Sequence, residues 1–584
     1  MEQANTDAAR TALRGGNLLL AYDICAREIA AGDPGRKLRY LLVLTLARMG
    51  ETKRALGFFE ANGLAEDDDV DVAALQGRLL KDLAGIADVD ARPAAFARAS
   101  DVYLDAHRRF GGYFTLINAA SLAHLAGSVE HAAGLAQAVL TDPEIDAATS
   151  YFAAASAVEA LLLLDRFDDA DAALGVAVAC PDADAGARAS TVRQFALLAD
   201  SAPAASAQRI AAMIERLRPA PVAMFCGHML VEDPIAEARI GAAIETELDA
   251  SGTTIGYGAL ACGADILCAE TLLRRGGELH VVLPFAVADF IEQSVAPGGP
   301  GWLGRFDTAL AAATSVSFAT EASYIGDVAQ FGYGASFAMG LTCLRARHLE
   351  TSPLQLAIWD GAAARGAAGT GIDVAAWQKH GFETRVIEPG SIQRPAHAAA
   401  PDAMSSAPRE FRSIVFTDFA GFSKVTEHAL PIFWSEVMGR VAAALGANPD
   451  AVRFRNTWGD ALFAVIDEPV AAAEIALDML RRLASFDPAI LGLGRNAGMR
   501  VGLHHGPVYL IPDPITGKDN YLGTEVTRTA RIEPVTPVGQ VYVTQPFAAL
   551  LALTGDARFA TAYVGKIVLA KGYGEMTMYR LTEC

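Results

Sequence analysis

The sequence predicts a multidomain protein in which an all-α region is followed by an α/β region and then by a mixed α+β region. Residues 1–215 are rich in Ala and Leu at helical spacing and contain few strand-like segments. Residues 219–390 alternate apolar runs with helix-like segments, and residues 410–584 contain strand-like runs around short turns. A chain of 584 residues is also too long for a single hydrophobic core.

Composition and charge exclude several classes of protein. Hydrophobic residues make up 52% of the chain and charged residues 20%, as in ordered globular proteins. The formal net charge of -20 argues against nucleic acid or an anionic membrane surface as a partner. The seven cysteines form no CxxC pair, the first residues do not resemble a signal peptide, and no apolar run approaches about 18 residues. We therefore expect a cytoplasmic protein without a membrane span.

A short pattern recurs in the helical region. The segments LARMGETKRALGFF, LAGSVEHAAGLA and LLDRFDDADAAL each place a turn residue (Gly50, Gly127 or Asp165) five residues before an alanine. This spacing is typical of helix–turn–helix repeats, in which a small residue allows two helices to approach closely. The region resembles tetratricopeptide-type repeats, and a plain helical bundle is the alternative. Because no catalytic cluster occurs there, we expect a docking surface for a protein partner or a sensing surface.

The middle region, residues 219–390, predicts a parallel sheet covered by helices on both faces. Its apolar runs PVAMFCG, ELHVVLPF, TSVSFAT and LQLAIWDG alternate with helix-like segments. Ligands of such folds bind beyond the carboxyl ends of the strands, and the loops FCGHM and YGALACGAD leave those ends. The second loop opens onto a helix, whose free N–H groups can hold a phosphate. The candidate ligand contacts on the two loops are Gly227, His228, Gly258, Gly263 and Asp265.

The run GALACGADILCAETLLRRGGELHVVLP resembles the Rossmann-like sensor family related to DNA-processing and lysine-decarboxylase-like proteins, often called SLOG. The PGGxGT-type motif of that family's enzymes does not occur, so the resemblance implies sensing of a nucleotide-like ligand rather than catalysis. Two alternatives stay open. Gly258 and Gly263 can serve tight packing of a helix on the sheet, and His228 can make a structural hydrogen bond. Residues 391–409, rich in Pro, Ala and Ser, predict a linker.

The third region, residues 410–584, places an aspartate at each of two strand ends. Asp418 follows the strand RSIVF and precedes FAGFS, where Gly421 lets backbone N–H groups approach an anion before a helix expected at about residues 424–445. Asp460 occupies the tight turn of the hairpin AVRFRNTWGDALFAVID. Two carboxylates on neighbouring strands, beside a phosphate cradle, predict a site for two Mg²⁺ or Mn²⁺ ions.

The motifs FTDFAGFS, WGDALFAV, MRVGLHHGPV and YLGTEVTRTARI follow one another in the order found in class III nucleotidyl cyclases, and LAKGYGEMTMYRL resembles the family's final hairpin. Residues 410–584 thus resemble the ferredoxin-like α+β catalytic domain of adenylate and guanylate cyclases. The resemblance implies conversion of an NTP, with ATP favoured, to a 3′,5′-cyclic nucleotide and pyrophosphate by two-metal catalysis. It also implies a head-to-tail homodimer, since in this family the metal aspartates and the catalytic arginine come from different subunits. A degenerate domain that binds NTP without turnover is the alternative.

The resemblance assigns roles to individual residues. Asp418, Asp460 and the backbone of Phe419 match the metal contacts. Arg531 matches the arginine that stabilises charge on the reacting α-phosphate, and Lys571 stands where a basic residue contacts the polyphosphate. The expected substrate-binding residues are Asn456, Asn520, Gly421, Phe422 and Lys571.

Three positions depart from the family pattern. Asn456 stands where adenylate cyclases have a lysine and guanylate cyclases a glutamate, and Asn520 replaces the usual aspartate or cysteine partner. An asparagine amide both donates and accepts, so this pair can read either purine or a pyrimidine. Thr527 replaces the asparagine that orients the ribose, and its shorter reach predicts slower turnover.

Overall fold

The structure is a computed structural model. It describes residues 2–32, 35–146, 150–363, 368–396 and 409–584. These residues form two compact units, which are Met1–Pro219 with Arg347–Thr351, and Ala220–Ala346 with Ser352–Cys584. Of the predicted linker, residues 397–408 lie outside the described residues. Within the described part of the chain, no helix is both long and apolar enough to cross a membrane.

The first unit is helical, and most successive helices pack against each other. The turn residues of the recurring pattern adopt positive φ angles, 79° at Gly50, 85° at Gly127 and 55° at Asp165. The alanine five residues later is fully buried in each case, so the predicted helix–turn–helix repeats are confirmed. The helices are α1 (Glu2–Arg14), α2 (Leu18–Ala30), α3 (Arg36–Arg48), α4 (Thr52–Ala61), α5 (Val70–Gly85), α6 (Arg92–Phe110), α7 (Tyr113–Leu125), α8 (Val129–Val139), α9 (Pro143–Asp146), α10 (Tyr151–Leu163), α11 (Phe167–Ala179), α12 (Ala185–Ser201) and α13 (Ala204–Leu217).

The second unit begins with a six-stranded parallel sheet in the order β4-β3-β2-β1-β5-β6. The predicted parallel sheet is therefore confirmed, and its strand order reverses between β1 and β5. The strands are β1 (Val222–Gly227), β2 (Ile255–Gly258), β3 (Glu278–Leu283), β4 (Ser315–Phe318), β5 (Pro353–Ile358) and β6 (Glu383–Ile387). The helices between them are α14 (Pro234–Ser251), α15 (Ala264–Arg274), α16 (Val287–Phe290), α17 (Pro300–Ala312), α18 (Ala329–His348) and α19 (Thr370–Lys379).

The same unit contains a second, mixed sheet in the order β13-β14-β12-β10-β7-β9-β8, with β11 paired to β10. Its central pair, β7 and β10, is antiparallel, whereas β10 and β12 are parallel. The strands are β7 (Arg409–Ala420), β8 (Val452–Trp458), β9 (Ala461–Ile466), β10 (Gly498–Pro512), β11 (Asp519–Leu522), β12 (Val541–Thr544), β13 (Phe559–Val568) and β14 (Glu575–Glu583). The helices are α20 (Leu430–Ile432), α21 (Gly439–Ala447), α22 (Pro469–Leu483), α23 (Thr524–Thr529) and α24 (Gln545–Leu553).

The helix expected at about residues 424–445 begins later than predicted. Two short 3₁₀ turns, Phe422–Lys424 and Glu427–Ala429, come first, and α20 starts at Leu430. Pro431 lies in its first turn, where the missing N–H costs no helical hydrogen bond. The residues after Gly421 are therefore turns rather than the N-terminus of a long helix.

Buried groups join the two sheets inside this unit. The Tyr333 hydroxyl of α18 donates to the backbone oxygen of His505 at 2.6 Å, and its ring centroid lies 4.8 Å from that of Phe411. Arg409, the first residue of β7, donates to Asp327 at 3.2 Å and to Gln330 at 2.6 Å. Residues near the N-terminus of α18 are thus attached to β7 and β10.

Candidate functional site

The structure places Asp418 beside the guanidinium of Arg500, a residue that the sequence patterns do not mark as functional. Asp418 lies near the end of β7, and the antiparallel register sets Arg500 of β10 directly opposite. The Arg500 Nη2 atom forms an ion pair with Asp418 Oδ2 and lies 2.8 Å from Glu533 Oε1. All three side chains are partly or largely buried. Arg500 therefore holds two carboxylates close together.

Asp460 joins the same cluster from the turn between β8 and β9. Gly459, with φ of 62°, allows that tight turn. Asp460 Oδ2 accepts a hydrogen bond at 3.2 Å from the N–H of Phe419, the residue that follows Asp418. Burial, followed by the charge of Asp418, raises the pKa of Asp460 to about 6. The structure thus brings the two predicted metal aspartates together.

Glu533 is the third carboxylate of the cluster, and neither Glu533 nor Arg500 belongs to the site residues predicted from the sequence. Burial, followed by the charge of Asp418, raises the pKa of Glu533 to about 7, although the Arg500 charge opposes this rise. The signal for Arg500 was its position in the apolar strand MRVGLHHGPV, where a basic side chain needs an acidic neighbour. Glu533 has no comparable signal, because its approach to Asp418 depends on the path of the chain after α23.

The donor set suits a small divalent cation that also binds substrate. In the described part of the chain, no three His, Cys, Asp or Glu side chains form a complete metal site. Mg²⁺ typically takes only one or two protein carboxylates and completes its shell with waters and substrate phosphates. The crowded carboxyl groups of Asp418 and Asp460 carry negative charge that such a cation would neutralise. The residues present therefore fit Mg²⁺ or Mn²⁺.

The residues expected to contact ribose and phosphate lie on and after α23. The Thr527 hydroxyl donates to the Gly523 carbonyl at 3.4 Å. The Arg531 guanidinium lies over the Tyr573 ring, 5.4 Å from its centroid, and its Nε is buried without a hydrogen-bond partner among the described residues. Across those residues, no hydrogen bond or ion pair joins Arg531 to Asp418 or Asp460. Among the described residues, Arg531 is therefore not a hydrogen-bond or ion-pair partner of the aspartate pair of its own chain.

The two positions predicted to read the base lie on strands whose side chains are in contact. Asn456 is exposed on β8, and Asn520 of β11 donates from Nδ2 to Asp513 Oδ2 at 3.2 Å. The rings of Phe454 and Tyr521, on the same two strands, lie 5.9 Å apart. The structure therefore brings together the strands that carry the two asparagines.

The remaining predicted substrate contacts occupy turns. Lys571 adopts a φ of 63° in the exposed turn before β14. Gly421 has φ of 98°, a conformation that favours glycine. The ring of Phe422 packs against that of Phe433, with centroids 4.8 Å apart. The Phe422 side chain is thus committed to packing, and a substrate contact there would involve its backbone.

The three glycines predicted as ligand contacts in the middle region occupy places where no side chain fits. A Cβ atom on Gly258 would lie 2.3 Å from the Phe225 ring, one on Gly227 would lie 2.3 Å from the Ala264 Cβ, and one on Gly263 would lie 2.1 Å from a Leu230 methyl. These distances support the alternative in which the glycines allow close packing of the loops and α15 on the sheet.

The polar residues of that region form a cluster where the strand order reverses. His228, directly after β1, lies 2.9 Å from Asp360, which follows β5, and 2.8 Å from Arg394.

Asp265, at the start of α15, is buried and accepts a hydrogen bond from the Ala261 N–H at 3.3 Å. Burial raises the pKa of Asp265 to about 7. Its Oδ1 has no hydrogen-bond partner among the described residues.

Solved cyclase structures resemble part of the chain. The adenylyl cyclase CyaB from P. aeruginosa is 14% identical, over 31% of this chain and 97% of that one, with a TM-score of 0.28. The guanylyl cyclase domain of the RhoGC fusion protein from the fungus Blastocladiella emersonii is 18% identical, over 30% and 99%, with a TM-score of 0.26. An adenylate cyclase from Trypanosoma brucei is 21% identical, over 31% and 94%, with a TM-score of 0.25.

The family comparison identifies two regions of the chain. Residues 19–123 match the family described as Tetratricopeptide Repeats-Sensor, and residues 405–583 match the family described as Adenylate and Guanylate cyclase catalytic domain. None of the curated proteins matches the chain. The chain thus carries sensor-type tetratricopeptide repeats in its N-terminal part and a class III adenylate and guanylate cyclase catalytic domain over residues 405–583.

Proposed function

We propose that the chain converts an NTP to a 3′,5′-cyclic nucleotide and pyrophosphate. The observation that carries this proposal is the pairing of Asp418 with Asp460 across β7 and the β8–β9 turn, inside a cyclase-family domain. Two neighbouring carboxyl groups, with burial and the charge of Asp418 raising the pKa of Asp460, are costly unless a cation neutralises them. The pair is thus better explained by metal binding than by structural stability.

Asp418 and Asp460 would hold two Mg²⁺ or Mn²⁺ ions, with the Phe419 backbone as a further ligand. Such ions lower the pKa of the ribose 3′-hydroxyl and neutralise charge on the phosphate oxygens. Arg500 forms ion pairs with Asp418 and Glu533, and its guanidinium would be able to bind the triphosphate once the aspartates bind cations. Glu533 would then keep the guanidinium beside the site.

Arg531 would stabilise negative charge on the reacting phosphate. Since Arg531 contacts neither aspartate of its own chain in the described residues, we infer that a second copy supplies it, in a head-to-tail homodimer with two sites. Asn456 and Asn520 would read the base. An asparagine amide complements the adjacent donor and acceptor of adenine, which supports ATP as the first substrate to test.

The full-length protein with Mn²⁺ and each of the four NTPs tests this proposal, with products identified by mass spectrometry. We expect a 3′,5′-cyclic nucleotide and one pyrophosphate per turnover. Asp418→Ala should abolish both, whereas Asp450→Ala, which removes an exposed carboxylate before β8, should leave the rate unchanged. Product formation that persists in Asp418→Ala would contradict the assigned metal site.

A binding module without turnover is the second candidate function. It is favoured by two observations, the Thr527 hydroxyl bonded to the Gly523 carbonyl and the Asn520 amide bonded to Asp513. Each side chain thus already uses one donor within its own chain, which would weaken its part in orienting the ribose or the base for turnover. The discriminating result is an NTP-dependent rise in melting temperature without release of pyrophosphate.

We also propose that the regions before residue 405 regulate the cyclase, the repeats through a protein partner and the parallel sheet through a nucleotide-like ligand. The cluster of His228, Asp360 and Arg394 supports the second part, because ligands of parallel sheets bind where the strand order reverses. Arg394→Gln should remove the response of the cyclase rate to that ligand and leave the unliganded rate unchanged.

A further inference from the structure

The short helix α23 is held by residues of the parallel-sheet region as well as by its own domain. The Thr320 hydroxyl, just after β4, donates to Glu525 Oε1 at 3.1 Å. The next residue, Glu321, accepts at 3.1 Å from the Arg528 guanidinium. Glu525 and Arg528 both belong to α23, the helix that carries Thr527. Two consecutive residues of one loop therefore bind two residues of this helix.

Glu525 is the centre of these contacts. It is 2% exposed, and its carboxylate accepts from Thr320 while lying 3.1 Å from His504 Nε2 and 3.2 Å from Arg528 Nη1. Burial alone would raise the pKa of Glu525, but the neighbouring His504, Arg528 and Thr320 outweigh it and lower the pKa to about 2. Glu525 is therefore ionised at neutral pH, and a buried carboxylate keeps its position only while its partners stay in place.

The loop that carries Thr320 connects the parallel sheet to α18. It leaves the carboxyl end of β4, the outermost strand on one side of the sheet, and ligands of parallel sheets bind beyond the carboxyl ends of the strands. The loop ends at α18, which Tyr333 attaches to β10 through the His505 carbonyl. The loop therefore lies between the edge of one sheet and the helix that carries Thr527.

We propose that Thr320 and Glu321 are positioning residues for the cyclase reaction, because they set the orientation of α23 and through it the places of Thr527 and Arg531. The helix has six residues, so a shift at Glu525 and Arg528 displaces the whole of it. A ligand that moves the β4–α18 loop then changes turnover without touching the metal aspartates. This inference rests on the proposed function.

Steady-state kinetics of the full-length protein test the inference, because they measure kcat and the Mn²⁺ dependence of the rate separately. Thr320→Val should lower kcat about tenfold, since small misplacements of catalytic groups are costly. Glu321→Gln should lower kcat about threefold, because the Glu321 side chain is 71% exposed. The Mn²⁺ concentration for half-maximal rate should stay within about twofold, because Asp418 and Asp460 lie on other elements. Asp307→Asn, which neutralises an exposed carboxylate on α17, is the matched control and should behave as wild type.

Hydrogen–deuterium exchange gives a readout that does not need activity. Thr320→Val and Glu321→Gln should raise exchange in residues 524–531 and leave β7 unchanged, while Asp307→Asn alters neither. A protein that makes no cyclic nucleotide but shows this exchange pattern refutes the proposed function and supports the contacts. Unchanged exchange in residues 524–531, or a loss of kcat no larger than in the control, overturns the inference. If Thr320→Val fails to fold, Glu321→Gln decides the test, because Glu321 is exposed.

Discussion

Replacing Arg500 by glutamine should change metal binding and nucleotide binding in opposite directions. Without nucleotide, the Arg500 guanidinium occupies Asp418 and lies 2.8 Å from Glu533, so a cation that binds Asp418 must displace it. Once the triphosphate is bound, the same guanidinium becomes an attractive partner for phosphate oxygens. We therefore expect Arg500→Gln to bind Mn²⁺ more tightly in the absence of NTP and to use NTP less well.

The size of both effects follows from how exposed the Arg500–Asp418 ion pair is. Two opposite unit charges at about 4 Å attract by ~4 kcal/mol at an effective dielectric of about 20, and by ~1 kcal/mol in bulk water. The Arg500 and Asp418 side chains are 23% and 28% exposed, so an intermediate value of about 1–2 kcal/mol is appropriate. Apparent Mn²⁺ affinity should then rise roughly five- to thirtyfold, and kcat/KM for the NTP should fall by a similar factor.

Titration calorimetry with Mn²⁺ at neutral pH measures the first effect, and steady-state kinetics measures the second. Arg495→Gln, which removes an exposed arginine before β10, is the matched control and should alter neither quantity. A Mn²⁺ affinity that stays the same or weakens in Arg500→Gln would refute the reasoning that this guanidinium competes with the cation for Asp418.

Two further predictions concern stability. Burial, followed by the charge of Asp265, raises the pKa of Asp373 to about 8. The folded protein keeps a proton that the unfolded chain loses near pH 4, so stability should fall between about pH 4 and pH 8 by up to ~1.4 kcal/mol per pH unit. Asp373→Asn should flatten that slope in melts at pH 5 and pH 8, and an equal slope in both proteins would contradict the assignment. Gly340→Ala should destabilise by about 1–2 kcal/mol in denaturant melts despite better helix propensity, because the new Cβ would lie 2.1 Å from the Ala549 carbonyl oxygen. Gly332→Ala, on the same helix with nothing within 4 Å, is the control and should be neutral or stabilising.

Much of the fold was predictable because it depends on local patterns. Helical spacing with turn residues such as Gly50 identified the repeats, and alternating apolar runs identified the parallel sheet. The helix after Asp418 was placed too early, because its apparent start at about residue 424 ignored Pro431, which lies in the first turn of α20.

The candidate site was predictable in part. Asp418 and Asp460 each stand at a strand end in the sequence, and the structure brings them together. Sequence reasoning does not identify Arg500 or Glu533, because the Arg500–Asp418 ion pair depends on the register of β10 against β7 and the Arg500–Glu533 ion pair on the path after α23. Such contacts between distant residues leave no periodic signal in the chain.

The order of residues along the chain was sufficient to define the kinds of helices and strands and to indicate two acidic residues suited to divalent cations. Only the tertiary structure shows that the Arg500 side chain pairs with Asp418, that a Cβ has no room at Gly258, and that Thr320 donates a hydrogen bond to Glu525. The physical reason is that periodicity and turn chemistry act over a few residues, whereas ion pairing, close packing and contacts between sheets depend on strand register and on how elements meet in space.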